Sequence, residues 1–144
     1  MATQNYKNHI RLVFGFHYVG FTLLLALIIG SCINLFDACH KQDGLYSASL
    51  ICLSSFILVL IAFFARTFSL KAQDRAIRAE ENLRHFAMTG SLLDNRLRIG
   101  QIIALRFASD EEFVALAKKA AEQSLSSKDI KMSITNWKAD NYRV

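Results

Sequence analysis

The chain has 144 residues, of which 53% are hydrophobic, and a formal net charge of +5 at pH 7. The apolar residues are concentrated between residues 12 and 65, which excludes one evenly mixed soluble domain and leaves residues 66–144 with a modest core. The absence of proline predicts long helices. The odd number of cysteines, Cys32, Cys39 and Cys52, excludes a disulfide framework.

Two uncharged runs predict membrane-spanning helices, at residues 12–36 and 45–65. As helices they would be about 37 Å and about 31 Å long, against a hydrocarbon core of roughly 30 Å. The loop at residues 37–44 is short, so we expect a two-helix transmembrane hairpin at residues 12–65. Small residues in both runs favour close helix packing within the hairpin or, less securely, between copies. These packing residues are Ala26, Gly30, Ala48, Cys52 and Ser55.

Basic residues flank the two runs at the ends away from the connecting loop. Positive flanks remain in the cytoplasm, so we expect a cytoplasmic N-terminal segment at residues 1–11 and a cytoplasmic C-terminus. The protein would then be a multi-pass protein of an inner membrane, in contact with membrane lipids. The flanking basic residues are Lys7, Arg11, Arg66, Lys71, Arg75 and Arg78.

The stretch IGSC at residues 29–32 allows a different interpretation of the first run. It resembles the cleavage site of a lipoprotein signal peptide, which would leave Cys32 as a lipidated N-terminus. We favour an uncleaved span because the apolar run continues to Phe36, whereas the apolar stretch of a signal peptide is typically about 7–15 residues. An intact-mass measurement separates the two interpretations.

The rest of the chain predicts a cytoplasmic helical domain at residues 66–144, so the predicted fold class is all-α. No glycine or proline occurs from Leu45 to Thr89, and we expect the second spanning helix to continue into the cytoplasm. Gly90 then suits the C-terminal cap of this helix. Its cytoplasmic part has an apolar stripe suited to packing against one neighbour. Shorter amphipathic segments then predict a small bundle of about three helices. The expected helices are residues 66–89, 96–107, 110–124 and 127–139, and the stripe is Ala72, Ala76, Ala79, Leu83 and Phe86.

Local signals define the ends and the inner faces of these helices. Glu80–Arg84 and Glu81–His85 have the spacing of helical ion pairs. Two serine–acid pairs have the spacing of a capping box, in which each side chain bonds the other residue's backbone amide. These pairs are Ser109 with Glu112 and Ser126 with Asp129. The expected core residues are Ile99, Ile102, Ile103, Phe107, Phe113, Leu116, Ile130, Ile134 and Trp137, and for the last a core role is favoured over ligand stacking.

Sequence motifs for chemistry are absent or weak. Neither a phosphate-binding glycine-rich loop nor a CxxC or HExxH motif occurs. We therefore expect no catalytic residues, no cofactor and no metal ligands. Asp37, Cys39, His40 and Asp43 could gather a metal ion, but their spacing is poor for zinc and a solvated turn is favoured.

Three lysines at the end of the chain allow three interpretations. Lys128, Lys131 and Lys138 would share one face of the last predicted helix. A solvated face is favoured, followed by contact with anionic lipid headgroups. A DNA-reading helix is the least favoured, because neighbouring acids dilute the positive field.

The segment QNYKNHIR at residues 4–11 and the tail IGQIIALRFASDEEF…NWKADNYRV resemble a known group of sequences. This group is an uncharacterised bacterial family of small two-span membrane proteins, a domain of unknown function. The resemblance covers most of the chain and is most specific at residues 101–113 and 137–144. It implies a bacterial membrane protein with two spans and implies no catalytic residue.

These features together predict a non-enzymatic protein of the bacterial inner membrane. The hairpin would anchor it, and the cytoplasmic helices would act as an accessory or scaffold subunit of a larger assembly or as a homo-oligomer. One alternative is a pore or transport element made of several hairpins, for which Asn34, Ser47, Ser54 and Ser55 are the candidate polar residues. A membrane-anchored binder of nucleic acid or anionic lipid is a weaker alternative, and an enzyme is the weakest.

Overall fold

The computed structural model describes residues 5, 6, 8 and 12–140 and, over that part of the chain, is all-α apart from one isolated β-bridge. The all-α part of the prediction is thus confirmed. Two compact units are present: one contains residues 12–69, and the other contains the described N-terminal residues together with residues 70–140. The elements are a π-helical turn at Gly15–Gly20, α1 at Phe21–Lys41, α2 at Leu45–Thr89, α3 at Ile99–Leu105, α4 at Asp110–Glu122 and α5 at Ser127–Ser133.

Two helical stretches are long and apolar enough to cross a membrane. They are Gly15–Lys41, with a mean hydropathy of 2.3, and Leu45–Thr89, with a mean hydropathy of 2.6 in its most apolar part. In the most apolar 18-residue window of each stretch, only 6% and 17%, respectively, is buried. The helix α2 is continuous from Leu45 to Thr89, as predicted from the absence of glycine and proline.

The loop predicted at residues 37–44 is shorter than expected. Helix α1 continues to Lys41, and only residues 42–44 connect it to α2. Within the last turn, His40 Nδ1 lies 3.0 Å from the Phe36 carbonyl oxygen, and Lys41 pairs with Asp37 one turn away. Because these side chains lie along a helix instead of around a turn, they do not converge. No group of three potential metal ligands occurs in the described part of the chain.

Small and hydroxyl residues of the first unit are buried, but they are not all the predicted ones. Ser31 Oγ lies 3.1 Å from Ser55 Oγ, and both side chains are buried together with Ala38 and Ala48. Cys52 is half-buried. Ala26 and Gly30 do not pack within the chain, since both are exposed and a Cβ on Gly30 would meet nothing within 4 Å. The buried face of α1 instead contains Ser31, the polar residue that follows Gly30.

The second unit has a core built by α3, α4 and α5. Its fully buried side chains include Leu105, Phe107, Phe113 and Ile130. Leu116, Ile102 and Ile134 are also buried and Ile103 is half-buried, as predicted. The expectation for Ile99 is wrong: 40% of this residue is exposed, because α3 begins there and buries the face that carries Ile102 and Leu105.

The last helix ends earlier than predicted. It ends at Ser133, and the following Ile134 already has an extended backbone. Trp137 therefore lies on an extended segment, where it forms an antiparallel β-bridge with Ala108. The Lys138 amide donates to the Phe107 carbonyl at 2.8 Å, and the Ser109 amide donates to the Asn136 carbonyl at 3.1 Å. Trp137 still packs on the core, with its ring 5.1 Å from that of Phe107.

Glycine ends α2 as the sequence predicts. Gly90 has a φ of 75°, and its amide donates to the Phe86 carbonyl at 2.8 Å. This left-handed conformation is nearly free of strain only for glycine. The Asn82 side chain then accepts the Leu93 amide at 3.2 Å, so the link after α2 is attached to the helix.

In that link, Asp94 holds a bidentate ion pair with Arg96. The hydrogen bonds donated by Arg96 lower the pKa of Asp94 to about 2 from 3.8. Because folding lowers this pKa, the contribution of the pair to stability is present above pH 3.8 and is lost as the pH falls towards 2. We expect Arg96→Gln to raise the Asp94 pKa towards that of an ordinary carboxyl group, as measured by an NMR titration. Lys128→Gln is the control, and an unchanged pKa in Arg96→Gln would contradict the assignment.

Candidate functional site

Arg84 connects α2 to the first turn of α4. Its Nε donates to Asp110 Oδ1 at 2.7 Å, one terminal nitrogen donates to Glu81 at 3.1 Å, and the other donates to the Ala108 carbonyl at 2.8 Å. The guanidinium carbon also lies 4.2 Å from the centre of the Phe113 ring, a distance typical of cation–π contacts. We call this set the Arg84 cluster: Glu81, Arg84, Ala108, Asp110 and Phe113.

The electrostatics of this cluster favour the charged state of Asp110. The side chains of Arg84 and Glu81 are only 12% and 10% exposed, whereas that of Asp110 is 69% exposed. Hydrogen bonds from Arg84, and then its positive charge, lower the pKa of Asp110. Asp110 also lies in the first turn of α4, where the helix dipole favours a negative charge. The cluster therefore fixes α2 against the bundle.

The predicted capping box at the start of α4 is wrong. Ser109 occupies the N-cap position, but its side chain makes no capping hydrogen bond. The Glu112 carboxylate instead accepts the amides of Thr135 and Asn136, both at 3.1 Å. Since the Ser109 amide already donates to Asn136, the reciprocal half of the box has no free donor. In contrast, the box formed by Ser126 and Asp129 is present as predicted.

Glu112 thus holds the extended segment that carries Trp137. We expect Glu112→Ala to speed hydrogen exchange at the Thr135 and Asn136 amides and to lower the free energy of unfolding by about 1 kcal/mol. The loss is small because water reaches these exposed amides. Glu111→Ala is the matched control, because it makes the same change at the preceding residue, which is exposed. Equal exchange rates in the two variants would exclude this role for Glu112.

A cleft of about 450 Å³ lies between α2 and the segment after Trp137. Three of its charged groups, Glu81, Arg106 and Asp140, have partners. Arg106 Nε lies 3.2 Å from Asp140, and Glu81 is held by Arg84. Glu80 and Lys138, which also line the cleft, are exposed. The lining residues are Gln73, Ala76, Ile77, Glu80, Glu81, Arg106, Lys138, Ala139 and Asp140.

The sequence predicted that the apolar stripe on α2 packs against one neighbour, and that neighbour is not the bundle of the same chain. Leu83 is 68% exposed and Phe86 is 50% exposed. Ile77 and Glu81 are the buried residues of this part of α2. The reason is the Arg84 cluster, which turns the polar side of the helix towards α4. The remaining stripe residues, Ala72, Ala76 and Ala79, are exposed too.

The basic residues are distributed differently from the prediction. Lys138 lies beyond the end of α5, so the three lysines do not share one helical face. Lys131 lies with its ammonium nitrogen 5.7 Å from the centre of the Phe107 ring, whereas Lys128 is exposed. In the first unit, Arg66 lies 5.7 Å over the Phe16 ring. Of the other flanking residues, Lys71, Arg75 and Arg78 are exposed, and Lys7 and Arg11 lie outside the described residues.

Sequence reasoning missed the residues that hold the second unit together. Arg84 was expected to pair with Glu80, yet it pairs with Glu81 and Asp110. His85 was expected to pair with Glu81, yet its ring nitrogen lies 2.7 Å from the Ser91 carbonyl. Glu80 and Glu81 both lie within about one helical turn of Arg84, so their spacing does not show which of them pairs with it. Asp110 pairs with Arg84 only because the fold brings α4 next to α2. The arrangement fixes helices in place and leaves an apolar surface open to a partner.

Comparison with known proteins gives a family but no function. A family described as of unknown function, DUF6526, matches residues 1–144, so the chain belongs to it. No curated protein and no solved structure matches the chain.

Proposed function

We propose, starting from membership of this family, that the chain is a membrane-anchored, non-enzymatic interaction module. In this proposal α1 and the first part of α2 form a transmembrane hairpin in a bacterial inner membrane. The second unit lies in the cytoplasm and acts as a scaffold or accessory subunit, or as a homo-oligomer. The observation that carries the proposal is the exposure of apolar residues on α1 and α2.

The exposure of the two helices supports a lipid environment. A core helix of a soluble protein is mostly buried, whereas 94% and 83% of the two apolar windows are not buried, the complements of 6% and 17%. Residues such as Phe21, Leu23 and Phe63 are each more than 60% exposed. Contiguous apolar surface of this kind is costly in water and is stable against hydrocarbon.

The grouping of the N-terminal residues supports a hairpin topology. Asn5, Tyr6 and Asn8 belong to the same compact unit as residues 70–140. These three residues precede the first apolar helix, whereas residues 70–140 follow the apolar part of the second. If both helices cross the membrane, residues of one unit must lie on one side. The exposed arginines after residue 65 then favour the cytoplasmic side.

The second unit supports an interaction role. Its least exposed charged groups pair internally, as in the Arg84 cluster and the Arg106–Asp140 pair. Its two most exposed large apolar side chains are Leu83 on α2 and Leu92 in the link after it, and Phe86 on α2 is 50% exposed. Apolar residues grouped on one surface are typical of protein–protein contacts.

Site-specific labelling tests the topology. The test uses a chain whose native cysteines are replaced by serine and that carries one new cysteine, at Asn5 or at Lys128. We expect both cysteines to react with a membrane-impermeant reagent only after the membrane is permeabilised, so that the reagent reaches the cytoplasmic side. A cysteine at Asp43 should react from the other side. Opposite labelling of the first two positions, or full solubility of the chain without detergent, would overturn the proposal.

Affinity purification in mild detergent tests the interaction role. We expect either a reproducible companion protein or a complex of several copies. A monomer without a companion would contradict the role, even with the topology intact. A pore is not favoured, because the Ser55 hydroxyl, one of its candidate polar groups, is buried against Ser31.

A further inference from the structure

The exposed apolar residues of α2 follow a regular spacing. Their successive separations are four, three, four and three residues, which is the spacing of a heptad seam between two helices. All of them are exposed within the second unit, and the two largest, Leu83 and Phe86, are 68% and 50% exposed. We call this surface the α2 seam: Ala72, Ala76, Ala79, Leu83 and Phe86.

The bundle of the same chain lies on the other side of α2. Ile77 and Glu81 are buried, and Arg84 reaches α4 through Asp110. At about 3.6 residues per turn, these three positions are roughly opposite the α2 seam. Within the described residues the seam is therefore exposed, and of its members only Ala76 also borders the cleft between α2 and the segment after Trp137.

We propose that a second copy of this chain packs along the α2 seam in a parallel orientation. The inference rests on the proposed function, because two chains with one membrane topology present α2 in the same direction. Both copies then extend their seams from the same side of the membrane. Parallel helices with matching positions in register give a symmetric pair, in which each seam residue meets its own counterpart.

Charges beside the seam are complementary for this orientation. With Ala76 and Leu83 assigned to heptad position a, Arg75 falls at position g and Glu80 at position e of the next heptad. In a parallel pair, position g of one helix faces position e of its partner five residues further along. A symmetric pair would thus contain two equivalent ion pairs, each between Arg75 of one copy and Glu80 of the other. Both side chains are exposed, and neither forms an ion pair with another residue of the range 12–140.

An antiparallel pair loses this attraction, because it brings g to g and e to e. The alanines at the start of the seam allow close approach of two backbones. The seam spans about four helical turns, which is short for an independent coiled coil. Anchoring in one membrane raises the effective concentration of the partner helix, so a short seam is sufficient.

Cysteine cross-linking in native membranes tests the seam directly. In a chain whose Cys32, Cys39 and Cys52 are serine, we expect Ala79→Cys to form a disulfide-linked dimer on oxidation. Arg78→Cys, the exposed neighbour on a different face, is the matched control and should remain monomeric. Equal cross-linking of the two variants, or none at position 79, would overturn the proposal.

Charge reversal provides a second test that does not depend on cysteine. Arg75→Glu alone or Glu80→Arg alone replaces two attractive contacts with two repulsive ones and should raise the dimer dissociation constant about tenfold. The double variant should restore dimerisation, because the attraction returns with its sign reversed. Failure of the double variant to recover would exclude the parallel register.

The outcomes separate this inference from the proposed function. Purification of another protein with a chain that does not cross-link at position 79 would overturn the seam and retain the interaction role. Cross-linking at position 79 in a chain that proves soluble would overturn the membrane-anchored function and retain the seam.

Discussion

Replacing Arg84 with methionine should lower the free energy of unfolding of the second unit by about 3 kcal/mol. The change leaves the Glu81 carboxylate, whose side chain is 10% exposed, without its positive partner. The Ala108 carbonyl loses its donor as well. Urea unfolding in detergent, followed by fluorescence, measures the loss. Trp137 is the only tryptophan and contacts Phe107 in the core, so its emission reports on this unit.

Two variants control for this effect. Arg78→Met removes an exposed arginine from the same helix and should change stability by less than about 0.5 kcal/mol. Combining Arg84→Met with Glu81→Gln removes the buried unpaired charge, so the double variant should be more stable than Arg84→Met alone. An equal cost for Arg84→Met and Arg78→Met would show that the Arg84 cluster does not stabilise the fold.

Replacing Leu105 with alanine should also destabilise the second unit by about 3 kcal/mol. The Leu105 side chain is fully buried at the end of α3, so its removal loses apolar burial and leaves a cavity. In a unit with a small core, such a loss is a large fraction of the total stability. The same urea titration measures it.

Leu92→Ala is the matched control, since it makes the same chemical change at a residue that is 66% exposed. We expect it to cost less than about 0.5 kcal/mol. If both leucine variants unfolded at the same urea concentration, the core would have to be centred elsewhere than on α3.

Periodicity and breaker residues made the helices predictable. The uninterrupted stretch from Leu45 to Thr89 gave the bounds of α2 because a missing glycine or proline is a local property. Gly90 and the Ser126–Asp129 box are local as well, and both are as predicted. Most of the expected core residues are buried for the same reason, since one apolar face follows directly from the spacing.

Contacts between distant residues were not predictable. The capping box at Ser109 has the right spacing, but the Asn136 carbonyl and the amides beyond α5 compete for the same groups. The stripe on α2 was expected to face one neighbour, but a pattern shows which residues are apolar and does not show which part of the protein packs against them. Arg84, on the opposite side of α2 from the stripe, binds Asp110 of α4 and so determines which side of α2 faces the bundle.

The π-helical turn at Gly15–Gly20 has a consequence for how this family can vary in length. A π-helical turn closes hydrogen bonds over five residues instead of four and so accommodates one inserted residue. Compared with a regular α-helix, the extra residue changes the direction of the side chains before the turn and leaves those of Ser31 and Ala38, which follow it, unchanged. Relatives that lack one residue within this turn would therefore retain the buried face of α1, and only the aromatic side chains near Phe14 would point elsewhere.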